Sequence, residues 1–238
     1  MTDSLSKPLA RRFYKDVSLG EDVCFQVLLD GRLIKTPKKR ALVLPTRKLA
    51  EAVAGEWSAQ KDVIDPSTMP MTRFSNTAID AVADAAIEVA ADIVAYAGRD
   101  LLCYRAGAPA ELAARQARAW DPVLEWASQA MGARFAVVTG VMPVDQPGLT
   151  LQRVASALEP YEPFRLAGLH VMTTLTGSAL LALAHARGAL SKEEAWAAAH
   201  VDEDYQISLW GEDFEAKEKR KRREEEFAAA SRLIASLA

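Results

Sequence analysis

Val23, Phe25, Val27 and Leu29 alternate with other residues, the period of a strand with one face buried. The preceding stretch, Arg12–Val17, is predicted as a strand too. Asp30-Gly31 follows as a hairpin turn, because glycine tolerates the positive φ of a tight turn. Arg32–Thr36 returns, Pro37 ends it, and Ala41–Leu44 adds a further short strand. Residues 11–45 therefore predict a small curled sheet. Thr46 is placed to cap a helix in which Leu49, Val53 and Trp57 fall at i, i+4 and i+8. The Pro-rich stretch 63–72 (VIDPSTMPMT) predicts a loop or a pair of short turns between a β part and a helical part. Met69 and Met71 there either fill the gap between the two parts or form an adaptable contact surface.

From Phe74 onward the period is helical. Ile87, Ala90, Val94 and Ala97 make one stripe, and a break follows at 98–107. Leu112, Ala119, Trp120, Val123, Leu124 and Ala127 line a longer helix, with Asp121-Pro122 as a kink or junction. Phe135–Thr139 predicts a short strand, and Leu149–Leu158 a helix closed by Pro160. Pro163 opens an apolar helix, and Ser191 with Glu194 forms a capping box for the next. Phe227, Ala230, Ile234 and Leu237 dock the last turns. The expected fold is α+β: a small N-terminal antiparallel β-containing domain with one helix (1–72), then a larger, mostly α-helical domain (73–238).

Charge narrows the function classes. With 29 basic and 32 acidic residues the net charge is -3, so no overall field draws the chain to nucleic acid or to a membrane. The basic run from Lys217 to Arg223 is answered by Glu224, Glu225 and Glu226 without interleaved aromatics, which suits a solvated helix face. Positions 166–186 carry no Lys, Arg, Asp or Glu, yet they hold two histidines, several hydroxyls and much Ala and Gly. They predict one helix buried in a bundle rather than a membrane span. The first residues have no apolar core of a signal peptide. Cys24 and Cys103 read as buried free thiols.

A search for chemistry returns little. Paired-Cys and H-E-x-x-H spacings are absent, as are G-x-x-x-x-G-K-[ST], G-x-G-x-x-G and G-x-S-x-G. No catalytic, metal-ligating or cofactor-binding residue is assigned. The unusual stretch is 199–214, AHVDEDYQISLWGEDF, where Asp202, Glu203 and Asp204 precede Tyr205, Ile207, Leu209 and Trp210. Charge prefers water and Trp prefers burial, so the segment must lie on a boundary. That boundary is an active-site rim, a protein-binding surface or the edge of an ordinary core. Without catalytic apparatus, protein binding is the favoured reading.

Several segments carry a family likeness: RRFYKDV, LDGRLIKTPKK…LVLPTRKLAEAVAGEWSAQ, DPSTMPMTRFSNTAID, DLLCYRA, QARAWDPVLEW and DEDYQISLWG, in that order. Together they resemble the assembly chaperones of the F-type ATP synthase that act on its alpha subunit, over Arg11 to Phe214. The resemblance implies a two-part α+β fold, no catalysis and no cofactor. It implies binding of the free alpha subunit until beta subunits replace the chaperone. Glu203 matches an acidic position that the family is thought to need, flanked by Asp202 and Asp204. It is expected to contact a basic group of the client or to pair within the chain. Tyr205 and Trp210 are expected as aromatic anchors, with closure of the core as the other role for Trp210. Trp57, at the family's GEW position, is expected to be structural. The molecule is expected to act as a monomer in a bacterial cytoplasm, with the mitochondrial matrix as the alternative. The competing functions are an enzyme using a carboxylate at Glu203 and a permanent subunit of a complex.

Overall fold

Asp30 and Gly31 both take positive φ, 48° and 74°, and between them reverse the chain from β2 (Phe25–Leu29) into β3 (Arg32–Leu33). Leu29 pairs with Arg32 and Leu28 with Leu33. The computed structural model describes residues 9–21 and 24–238. Val23 and the first eight residues, on which the strand and leader expectations partly rest, lie outside them. β1 (Val17–Glu21) runs antiparallel to β2, from Val17 opposite Leu29 to Glu21 opposite Phe25. β4 (Val43–Leu44) pairs with the other edge of β2. The strand expected at Arg12–Val17 is corrected: it starts only at Val17, and Arg11 instead forms an isolated bridge to Val63. The guanidinium of Arg12 occupies this stretch with local bonds, donating to the carbonyls of Tyr14 and Lys15.

Thr46 caps α1 (Arg47–Ala59), its hydroxyl oxygen accepting from the Leu49 N–H, and Leu49 and Val53 are fully buried. The hydroxyl also donates 2.6 Å to the carbonyl of Ser236. The expected loop through residue 72 is shorter than its prolines suggest, because α2 (Pro70–Asp80) already begins at Pro70. Proline suits a first helical position, and Glu56 of α1 accepts from the N–H groups of Met71 and Thr72 at 2.6 and 2.8 Å. The cap thus comes from a neighbouring helix. The division after residue 72 passes through α2. Met69 and Met71 are buried and fill the interior.

α3 (Ala86–Ala97) buries Ala90, Ile93 and Ala97. Ile87, one turn earlier on the expected stripe, is 70% exposed, so the stripe overshoots the core. β5 (Tyr104–Arg105) follows and pairs in parallel with β6 (Val138–Thr139), after α4 (Ala110–Met131). Pro122 sits within α4 without ending it. α5 is Gly148–Leu158.

The apolar run 166–186 is two helices, not one: α6 (Pro163–Thr176) and α7 (Ala179–Ala186). Gly177 breaks them at φ 69°, a conformation costly for any residue with a Cβ. Ser178 then caps α7 by accepting from Leu181 N–H. Asp100, fully buried, accepts from the N–H groups of Leu102 and Leu180 and anchors the break. No helix among the described residues is long and apolar enough to cross a membrane.

α8 is Lys192–Ala199, α9 Val201–Trp210 and α10 Phe214–Ser236. α6 is central, with α2, α3, α7 and α10 packed around it. At Gly168 the approach of α10 is so close that a Cβ would lie 2.9 Å from Ile234 Cδ1. One continuous core joins Val27, Leu42 and Leu44 of the sheet region to Leu49, Ile93, Met172 and Phe227. A smaller cluster surrounds Trp120, whose indole N–H donates 2.7 Å to the Ala198 carbonyl. The protein is therefore α+β, a small N-terminal antiparallel sheet followed by a mostly helical region. Of the two thiols only Cys103 is buried, and burial pushes it up to about 12; Cys24 is exposed, against expectation.

Candidate protein-binding surface

The capping box is present: Ser191 accepts from Glu194 N–H and Glu194 accepts from Ser191 N–H, which fixes the start of α8. His200 ends α8, and α9 starts at once. Asp202, Glu203 and Asp204 fill the first turn of α9, where the free N–H groups favour negative charge. Gly211 closes that helix, and Asp213 caps α10 by accepting from Ala216 N–H. Only three residues separate two helices here, so the segment turns as an exposed corner.

The three acids have different surroundings. Asp202 accepts 2.7 Å from the side-chain amide of Gln116, whose own oxygen accepts from Ala106 N–H. Asp204 pairs with Arg220 of α10 at 2.6 Å. Glu203 makes no hydrogen bond among the described residues; its Oε2 lies 3.8 Å from His200 Nε2, and its charge also acts on Arg220. Burial pushes the His200 imidazole below its ordinary range. Nδ1 lies 2.7 Å from the Trp196 carbonyl, which can only accept, so Nδ1 holds the proton and Nε2 is bare. A neutral imidazole with that tautomer offers Glu203 no donor. Close bonds within the chain therefore engage Asp202 and Asp204, and Glu203 has only the longer contact to His200.

The apolar residues divide as sharply. Tyr205 is buried, with the Arg115 guanidinium 5.2 Å over its ring. Trp210 is 82% exposed, Phe214 77% and Leu209 54%, so Trp210 does not close the core. Beside them runs a cleft of about 210 Å³ lined by Glu203, Ile207, Trp210, Glu212 and Asp213. Large apolar side chains left in water beside acids are the signature of a contact surface. Of these exposed residues, Phe214 was not singled out from sequence. The N-cap pattern at Asp213, three residues after Trp210, is the signal that could have shown the corner to be too short to bury them.

Trp57 lies in the sheet region, far along the chain from this corner. It is half-buried against the core, its ring meets Tyr14 edge-on at 5.6 Å, and its carbonyl accepts 2.7 Å from the Tyr14 hydroxyl. Its surroundings are those of a packing residue. Among the described residues no group of three metal-ligating side chains lies together.

Comparison with known proteins adds a lineage. The family model described as ATP12 chaperone protein matches residues 11–128. A candidate chaperone from Agrobacterium tumefaciens has a similar structure, with a TM-score of 0.94 and 49% identity, covering 98% of this chain and 88% of its own. Atp12 from Paracoccus denitrificans is similar with a TM-score of 0.93 and 40% identity, covering 96% of this chain and 99% of its own. A mutant form of that protein matches with the same score and identity.

Proposed function

The chain belongs to the ATP12 chaperone family, and from that premise we propose that it is a chaperone of F-type ATP synthase assembly whose client is the free alpha subunit. It covers an apolar face of that subunit, keeps it soluble, and yields it when beta subunits assemble. The observation that carries this reading is the corner where Glu203, which makes no hydrogen bond among the described residues, stands beside exposed Trp210 and Phe214. Glu203 contacts a basic group of the client, and a charge-assisted bond there is strong but reversible. Trp210 is the aromatic anchor. Asp202, Asp204 and Tyr205 contribute by holding α9 at the correct angle. The protein acts as a monomer in a bacterial cytoplasm; the Agrobacterium and Paracoccus relatives support that setting.

The test is aggregation of purified alpha subunit followed by light scattering. The wild-type chain should suppress scattering at near-equimolar ratio. Trp210→Ala and Glu203→Lys should suppress it poorly while melting at the wild-type temperature. Scattering that rises equally fast with and without the wild-type chain would refute the proposal.

A further inference from the structure

α9 is short, and of its ten residues only Tyr205 is buried. One buried side chain pins a helix at a point and constrains its roll about its own axis weakly. Roll decides whether Glu203, Ile207 and Trp210, which share a face at i, i+4 and i+7, line their cleft together. Two polar bonds resist it. Asp202 is held by Gln116 of α4, and Asp204 by Arg220 of α10. Residues two apart on a helix stand about 200° apart around it, so the two tethers pull on opposite sides.

The tethers differ in kind. The Arg220 pair has a carboxylate nearly half in water. Gln116 is 2% exposed, and both ends of its amide are used. Its oxygen accepts from the Ala106 N–H at 2.7 Å, and its nitrogen donates to Asp202 at 2.7 Å. Turning the amide over would set oxygen against the carboxylate and nitrogen against an N–H, so one orientation is allowed. Ala106 directly follows β5, which pairs with β6 and whose Arg105 carbonyl accepts from the Gly140 N–H at 2.8 Å. The tether on Asp202 thus runs back to paired backbone. Asp202 is exposed and water can solvate it, whereas a buried amide needs its acceptor.

We propose that Gln116 is a positioning residue of the client surface: it sets the roll of α9, and so the direction in which Glu203 and Trp210 face. The inference rests on the alpha-subunit reading above. Burial keeps Gln116 itself from touching a client, so any effect it has on binding passes through α9.

The experiment uses the full chain and purified alpha subunit, at a temperature well below every melting midpoint. Gln116→Glu keeps the oxygen that accepts from Ala106 and sets a second carboxylate oxygen against Asp202. Amides of residues 201–210 should then exchange with deuterium faster, those of α1 should not, and affinity for alpha should fall about tenfold, the scale of one lost bond to a charged group. The double variant Gln116→Glu/Asp202→Asn exchanges donor and acceptor at unchanged net charge, and should restore slow exchange and most of the affinity. Asp202→Ala, at an exposed position, should lose the bond and bind as poorly as Gln116→Glu. It and the double variant both lack the Asp202 charge and differ in the bond, so they carry the comparison even where Gln116→Glu does not fold. If Gln116→Glu binds alpha as tightly as wild type, or the double variant recovers slow exchange and binds no better than Asp202→Ala, the inference is overturned alone. If the wild-type chain does not bind alpha at all, the client assignment fails and takes the inference with it.

Discussion

Arg220 of α10 reaches Asp204 of α9 across 2.6 Å, and this pair spans the corner from which Trp210 projects. Its guanidinium is largely covered whereas the carboxylate is nearly half exposed. The contact therefore sets the angle between the two helices more than it adds stability, about 1 kcal/mol at such an exposure. Arg220→Ala should lower the melting temperature only slightly yet weaken suppression of alpha aggregation several-fold. Calorimetry and scattering on one preparation check both halves.

Trp57 should separate from that corner by the opposite pattern. Its indole Nε1 is buried without a hydrogen-bond partner, so Trp57→Phe removes no bond. Trp57→Arg instead places a charge against Tyr14 and the core edge, at about 3 kcal/mol or more. Urea unfolding should rank wild type, then Phe, then Arg. Client binding by whatever fraction remains folded should be normal in all three.

Gly168 and Ile234 form a steric pair with a sign that can be reversed. Gly168→Ala gains about 1 kcal/mol of helix propensity but pushes a methyl against Ile234 Cδ1, and such overpacking costs about 1–3 kcal/mol. Gly168→Ala alone should be neutral to destabilising. In an Ile234→Val background, which removes Cδ1, the same substitution should stabilise. A double-mutant cycle in urea reads the coupling.

Two buried groups make stability depend on pH in opposite directions. His200 is held neutral, while in the unfolded chain it titrates near its ordinary 6.5. Below that pH the unfolded state binds the extra proton, and stability falls on acidification. Asp100 has its carboxyl pushed up to about 6 by burial, from an ordinary 3.8, so the folded state takes the proton first. Its contribution rises as pH falls from about 6 towards 4. His200→Gln should flatten the loss of stability between pH 7 and 6. Asp100→Asn should steepen the loss between pH 6 and 4. Melting temperatures across pH 4–8 test both.

Local signals in the chain were good guides wherever the partner was local. Thr46 with Leu49, Asp30 with Gly31, and Ser191 with Glu194 each close a bond within a few residues, and each element starts where those residues predict. The errors have distant causes. α2 starts early because Glu56, on another helix, caps it. The 166–186 run breaks at Gly177, and the break is held by Asp100, which accepts from the Leu180 N–H from 80 residues away. Periodicity placed Ile87 on a buried stripe because it reports a face and not where the core ends. At the candidate site, the sequence marked a boundary of acids and aromatics. Only the folded arrangement separates Asp202 and Asp204, which hold close internal bonds, from Glu203, which holds none that short. The family likeness was legible throughout from Arg11 to Phe214.

Thr46 holds the carbonyl of Ser236, and beside it Lys48 holds that of Ala235. The helix that opens the bundle is thus clasped to residues made almost two hundred positions later, and central α6 leans on the same last helix. During synthesis the hydrophobic interior cannot seal until α10, which supplies Phe227 and Leu233 to it, has left the ribosome. Until then the faces of α2 and α6 that α10 covers stay in water.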